Sequence, residues 1–240
     1  MLRWLCFFFF VLGLLFLSSC ESQPEREEPH FVVTVQPLKM IVGELAGERA
    51  EVLSLLPPGA SPHTFDPRPS DVRAAVSAKG FLFVSKNMDG WAEDLGAENR
   101  TEVISLLPGE MVREAMTAHD HGDEEDHHHG AVDPHFWLDP LTVKALVPEL
   151  AKTLAELDPE GAELYQQNAE EFAAELDALH EEVSEMLAPV QGRAVLLFYL
   201  LFLYMLDRYG LEFAGVVEPF PGKQATPRYL KELVDKVEEE

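Results

Sequence analysis

Seven apolar residues, Tyr165, Ala169, Phe172, Leu176, Leu179, Val183 and Met186, recur at spacings of 4, 3, 4, 3, 4 and 3. That rhythm predicts one long amphipathic helix. Asp158 followed by Pro159 reads as an N-cap with proline at the first helical position, and Pro189 ends the run. At 1.5 Å per residue the helix would be roughly 45 Å long, enough to run the length of a small two-lobed protein. A coiled-coil partner helix would carry the same stripe, but this one lasts only about three heptads.

The chain before this helix alternates short β-branched runs with helical segments. FVVTV (Phe31–Val35), VLSLL (Val52–Leu56), FLFVS (Phe81–Ser85) and VISLL (Val103–Leu107) read as strands. Pro37–Leu45 reads as a helix, a second is capped by Ser70 with Asp71 and runs to Ala78, and a third covers Leu141–Leu157. Strand and helix at this short spacing are the pattern of a parallel α/β sheet. Beyond the long helix, Arg193–Tyr199 and Leu211–Pro219 read as strands, with helices over 200–208 and from Pro227 onward. A second α/β lobe thus begins near residue 190. Leu196, Leu197, Phe198, Leu200, Leu201, Phe202 and Leu203 supply an apolar face there that points to association through 193–219.

The first twenty residues carry a different signal. Arg3 precedes an apolar run from Leu5 to Leu17, too short for a comfortable membrane span and suited to a signal h-region. Leu17-Ser18-Ser19-Cys20 resembles the bacterial lipobox, in which the cysteine is acylated and becomes the first residue of the mature chain. The polar stretch after it, to residue 30, reads as a tether. Cys6 and Cys20 are the only cysteines, so the rest of the chain has no intramolecular disulfide and no cysteine-based zinc site. With 18 Lys+Arg against 43 Asp+Glu the net charge is -25, which argues against nucleic acid as a partner.

Histidine is the residue type that carries chemistry. His63, in PPGASPHTFDPRPSD, and His135, in DPHFWLDP, both stand between a predicted loop or strand end and a helix, where α/β sheets bind ligands. Their separation of 72 residues is no local metal motif. Between them, His119, His121, His127, His128 and His129 are interleaved with Asp120, Asp123, Glu124, Glu125 and Asp126 in AHDHGDEEDHHHG. Such a tract of imidazoles and carboxylates over 118–130 reads as an exposed loop that collects divalent metal by composition. No nucleophile elbow, phosphate-cradling glycine loop or acid–base pair is visible, so an enzyme is not expected.

Together SPHTFDPRPSD, DPHFWLDP, YQQNAEEFAAELDAL, DRYGLEFAGVVEPFPGK and the His/Asp/Glu loop resemble the metal-binding solute-binding lipoproteins of zinc/manganese ABC importers. The resemblance runs from about Phe31 to Glu240 and implies an α/β fold of two lobes joined by a rigid helix, with a divalent metal held between them. The implied division is a lipoprotein signal over 1–20, a tether over 21–30, a first lobe over 31–157, a linker helix over 158–188 and a partial second lobe over 190–240. His63 matches the family's first histidine ligand and His135 its second. The third, His in zinc members and often Glu in manganese members, stands ten residues before the Tyr of a YGL motif. That Tyr is Tyr209, so the matching position is Tyr199. The fourth, an acidic residue near the family's C-terminus, would fall beyond Glu240. The resemblance implies Zn2+, with Mn2+ as the alternative, an ABC permease and ATPase as partners, and an exported, lipid-anchored protein. A surface zinc buffer or adhesin-like lipoprotein, or a diverged paralogue without transport activity, would share these features.

Overall fold

The computed structural model describes residues 31–115, 132–218 and 225–239. Residues 1–30, with Cys20, and the histidine tract His119–His129 lie outside the described residues. The first part of the chain builds β1 (Phe31–Val33), α1 (Gln36–Ala46), β2 (Val52–Ser54), α2 (Pro69–Ser77), β3 (Gly80–Phe83), α3 (Lys86–Asp89) and β4 (Arg100–Glu102). The four strands form one parallel sheet in the order β2-β1-β3-β4, with Phe31 opposite both Val52 and Gly80, and Phe81 opposite Arg100.

Alternation along the strands sends side chains to two separate cores. Phe31, Val33 and Leu82 join Leu38, Val42 and Leu45 of α1 on one face. Val32, Phe81 and Phe83 pack with Ala75 of α2 and Ala92 on the other. A sheet covered on both faces explains why these strands read as near-continuous apolar runs. At Gly80 an added Cβ would meet Leu157 Cδ1 at 2.5 Å and Phe31 Cδ1 at 3.2 Å, so any larger residue would have to displace the Leu157 side chain.

Two helices then cover the first of these faces. These are α4 (Pro140–Leu157) and α5 (Ala162–Leu187), whose 26 residues follow a short 3-10 turn over Pro159–Gly161. Tyr165, Ala169 and Leu176 of the predicted stripe are buried in the first core. Leu179 and Met186, farther along, are 45% and 62% exposed, because the helix has by then run past the body that covers it. After α5 come β5 (Ala194–Leu197), α6 (Leu203–Tyr209), β6 (Glu212–Val216) and α7 (Pro227–Glu239), with β5 and β6 paired in parallel. The fold is α/β, two parallel sheets linked by a long helix. No helix of the described residues is long and apolar enough to cross a membrane.

Several expectations are corrected. Residues Val103–Leu106 are a 3-10 turn, not a strand, and the fourth strand is the polar Arg100–Glu102 just before it. The N-cap of α2 is Arg68, with Pro69 first and Asp71 at the third position, where the Asp71 carboxylate accepts the Arg68 N–H at 2.8 Å. The helix expected over 200–208 begins only at Leu203. Of the apolar face near residue 200, Leu197 and Leu203 are buried in a small core of their own, while Leu196, Phe198 and Phe202 are exposed.

Asp158 caps nothing with its side chain. The carboxylate, 2% exposed, instead takes Arg49 at 2.7 and 3.1 Å, Lys79 at 2.7 Å and the Tyr165 hydroxyl at 2.6 Å. Arg49 precedes β2 and Lys79 precedes β3, so this cluster ties the start of the long helix to the amino-terminal edge of the sheet. The Arg49 guanidinium, followed by Lys79 and Tyr165, holds the Asp158 carboxyl well below the ordinary carboxylate range. Burial and that same carboxylate push the Tyr165 phenol up to about 12.

Candidate metal centre

The opposite, carboxyl-terminal edge of the sheet carries both histidines singled out by sequence. His63 lies in a 3-10 turn over Pro62–Thr64, in the segment after β2. Trp91 fixes that turn, donating its indole N–H to the Pro62 carbonyl at 2.9 Å while its ring packs on Phe65 with centroids 5.0 Å apart. The turn packs on α3. His63 itself is exposed.

Beneath it, Asp89 is fully buried and holds the turn after β3 together. Its carboxylate accepts from the Thr34 hydroxyl and from the Val84 and Ser85 N–H groups, both at 2.9 Å. Burial raises its pKa despite these three donors.

His135 is buried. Asp133, two residues before it, accepts both the His135 backbone N–H at 3.0 Å and the ring Nδ1–H at 2.7 Å through one oxygen, Oδ1. A carboxylate on Nδ1 selects the tautomer that leaves Nε2 with a free lone pair, the arrangement common behind metal-ligating histidines. The ring stands edge-on to Trp137 at 5.5 Å, and the neighbouring Phe136 is fully buried in the first core. A cleft of about 320 Å³ is lined by Val35, Gln36, Leu56 and Met88, by Pro62 next to His63 in the chain and by Trp137 two residues after His135; neither histidine lines it.

The fold therefore brings together two imidazoles that are 72 residues apart in the chain. Burial first, and then His135, hold the His63 pKa below its ordinary 6.5. Both effects keep His63 neutral near pH 7, the form that can donate a lone pair to a metal.

Tyr199 stands in the turn after β5. It is 43% exposed, with its ring edge-on to Phe198 at 4.7 Å. No group of three or more His, Cys, Asp or Glu side chains converges among the described residues. Sequence reading missed Asp133, Asp89 and Trp91. Of these only Asp133 had a local signal, the D-P-H spacing that lets a carboxylate reach back to the ring.

Residues 31–240 match the family model described as zinc-uptake complex component A, periplasmic. The zinc-binding lipoprotein AdcA of Streptococcus pneumoniae serotype 4 is 29% identical over 236 residues, covering 94% of this chain and 46% of AdcA. This chain thus spans about half of that relative's length. The manganese-binding lipoprotein MntA of Halalkalibacterium halodurans is 28% identical over 242 residues, covering 98% of this chain and 77% of MntA. Among solved structures, a crystal structure of ZnuA superposes with a TM-score of 0.73 at 27% identity, covering 87% of this chain and 77% of ZnuA.

Proposed function

Since the chain belongs to the zinc-uptake complex component A family, we propose that it captures zinc outside the cytoplasm and delivers it to the permease and ATPase of an ABC importer. His63 and His135 hold the ion at the carboxyl edge of the first sheet. The observation that carries this reading is the His135 imidazole, buried and held through Nδ1 by Asp133. Two imidazoles favour zinc over manganese, because Mn2+ prefers carboxylate, carbonyl and water oxygens. The zinc names of AdcA and of the family support the same choice, and the name of MntA keeps manganese as the competitor to test.

The tract His119–His129 gathers zinc by composition and raises its local concentration. Deleting Asp120–His129 lowers the number of zinc ions bound per chain and leaves the tightest site in place, which a chelator-competition titration measures. A deletion that abolishes the tightest site would move the primary centre into the tract and overturn the His63–His135 assignment.

Cys20 anchors the mature chain to the membrane through its lipid. Cys20→Ser releases the protein into the soluble fraction on cell fractionation. A variant that still sediments with membranes would remove the anchor from this account.

A further inference from the structure

We infer that α6, in the second α/β unit, is the positioning element for His135, with Tyr204 and Arg208 holding the two ends of the segment Asp133–Asp139 that carries it; this rests on the zinc reading of His135. Tyr204 and Arg208 are four residues apart and so share one face of α6. The Tyr204 hydroxyl accepts the Arg113 N–H at 3.0 Å and donates to the Asp133 carbonyl at 3.3 Å. Arg208 grips the Asp139 carboxylate through Nε and Nη2 at 2.7 to 3.0 Å. Asp139 in turn accepts from the Leu141 N–H at 3.1 Å and the Thr142 hydroxyl at 2.7 Å, which starts α4.

The near end is a short pairing of two segments: the Asp133 N–H donates to the Arg113 carbonyl at 2.8 Å, beside a bridge between Glu114 and Val132, and the Tyr204 hydroxyl joins both segments. Asp133 Oδ2 is buried with no hydrogen-bond partner, and Arg113 approaches it only to 3.9 Å. The Asp133 backbone, held by the Arg113 carbonyl and by Tyr204, sets where Oδ1 meets the His135 ring, and Tyr204 is the part of that restraint that comes from α6. Leu203 and Leu206 of the same helix pack in the β5–β6 core, while Tyr204, 5% exposed, packs in the first core. Movement of the second unit reaches the imidazole through this helix. Arg208 and Tyr204 are positioning residues, since each acts on the ion only through His135.

The test uses the mature chain labelled with 15N-histidine, its His135 signals assigned with His135→Gln. In the metal-free protein His135 is expected as the Nδ1–H tautomer. Tyr204→Phe should mix the two tautomers and weaken zinc binding at His135 by about 10- to 100-fold, the range for removal of a group behind a metal ligand. Arg208→Lys keeps the charge but loses the two-pronged grip. It should move both readouts in the same direction by less, and it decides the matter if Tyr204→Phe does not fold.

An unchanged tautomer in the folded variants, or an altered tautomer with zinc affinity within two-fold, overturns the inference. If zinc leaves the His135 signals of the unmodified protein unmoved, the zinc reading has failed. The metal-free tautomer comparison then still decides whether α6 positions this ring.

Discussion

Asp158→Ala lowers the melting temperature by about 6–12 °C. The substitution breaks a buried ion-pair cluster, which costs about 3 kcal/mol at the low end of the usual range. For a chain of this size each kcal/mol moves the midpoint by about 2–4 °C. The low end applies because Arg49 and Lys79, at 27% and 45% side-chain exposure, regain water once the carboxylate is gone. Asp158→Asn removes the charge and keeps the shape, and gives the pH dependence. The folded-state pKa of Asp158 is depressed, so the unfolded chain binds its proton more readily in acid. Its contribution is complete above the unfolded value of 3.8 and is lost as pH falls through the folded one. The difference between wild type and Asp158→Asn is therefore full at pH 7 and shrinks progressively below about pH 4. A gap independent of pH would mean that packing, not charge, holds the start of α5.

His135→Ala reduces zinc affinity at the primary site by more than about 100-fold, beyond the range for groups behind a ligand. His63→Ala does the same, because a pair reduced to one imidazole loses its chelate. Tyr199→Phe leaves the affinity within about two-fold, since that ring is exposed and packs on Phe198. Binding that depends on His63 persists from pH 8 to 6.5 and weakens in more acid solution, because burial and His135 keep its pKa below 6.5. Isothermal titration of the three variants between pH 5.5 and 8 checks all of this. A large loss in Tyr199→Phe would make its hydroxyl a ligand.

The first three strands and the long helix were legible because their apolar spacing is local. Phe31–Val33 and Phe81–Phe83 are buried on both faces and read as unbroken runs. The fourth strand, Arg100–Glu102, lies at the sheet edge with exposed or half-buried residues, so it carries no apolar signature, and the stronger run Val103–Leu107 drew the assignment. Asp158 does stand at the N-cap position with Pro159 after it, but the task of its side chain was not legible, because its partners Arg49 and Lys79 lie 109 and 79 residues away. The stripe on α5 marks the helix but not how much of it is core, since periodicity does not say where the covering body ends. His63 and His135 were individually ambiguous. Only the motifs around them, and then the fold, placed the two imidazoles at one edge of a sheet.

Zinc-edge X-ray absorption reads the coordination of the bound ion directly. The mature chain lacking Asp120–His129, loaded with one equivalent of zinc, should show two imidazole ligands with Zn–N distances of about 2.0–2.1 Å. His63→Ala and His135→Ala should each lose one of them. A spectrum with no imidazole scattering, or one that neither substitution alters, would contradict zinc capture by His63 and His135.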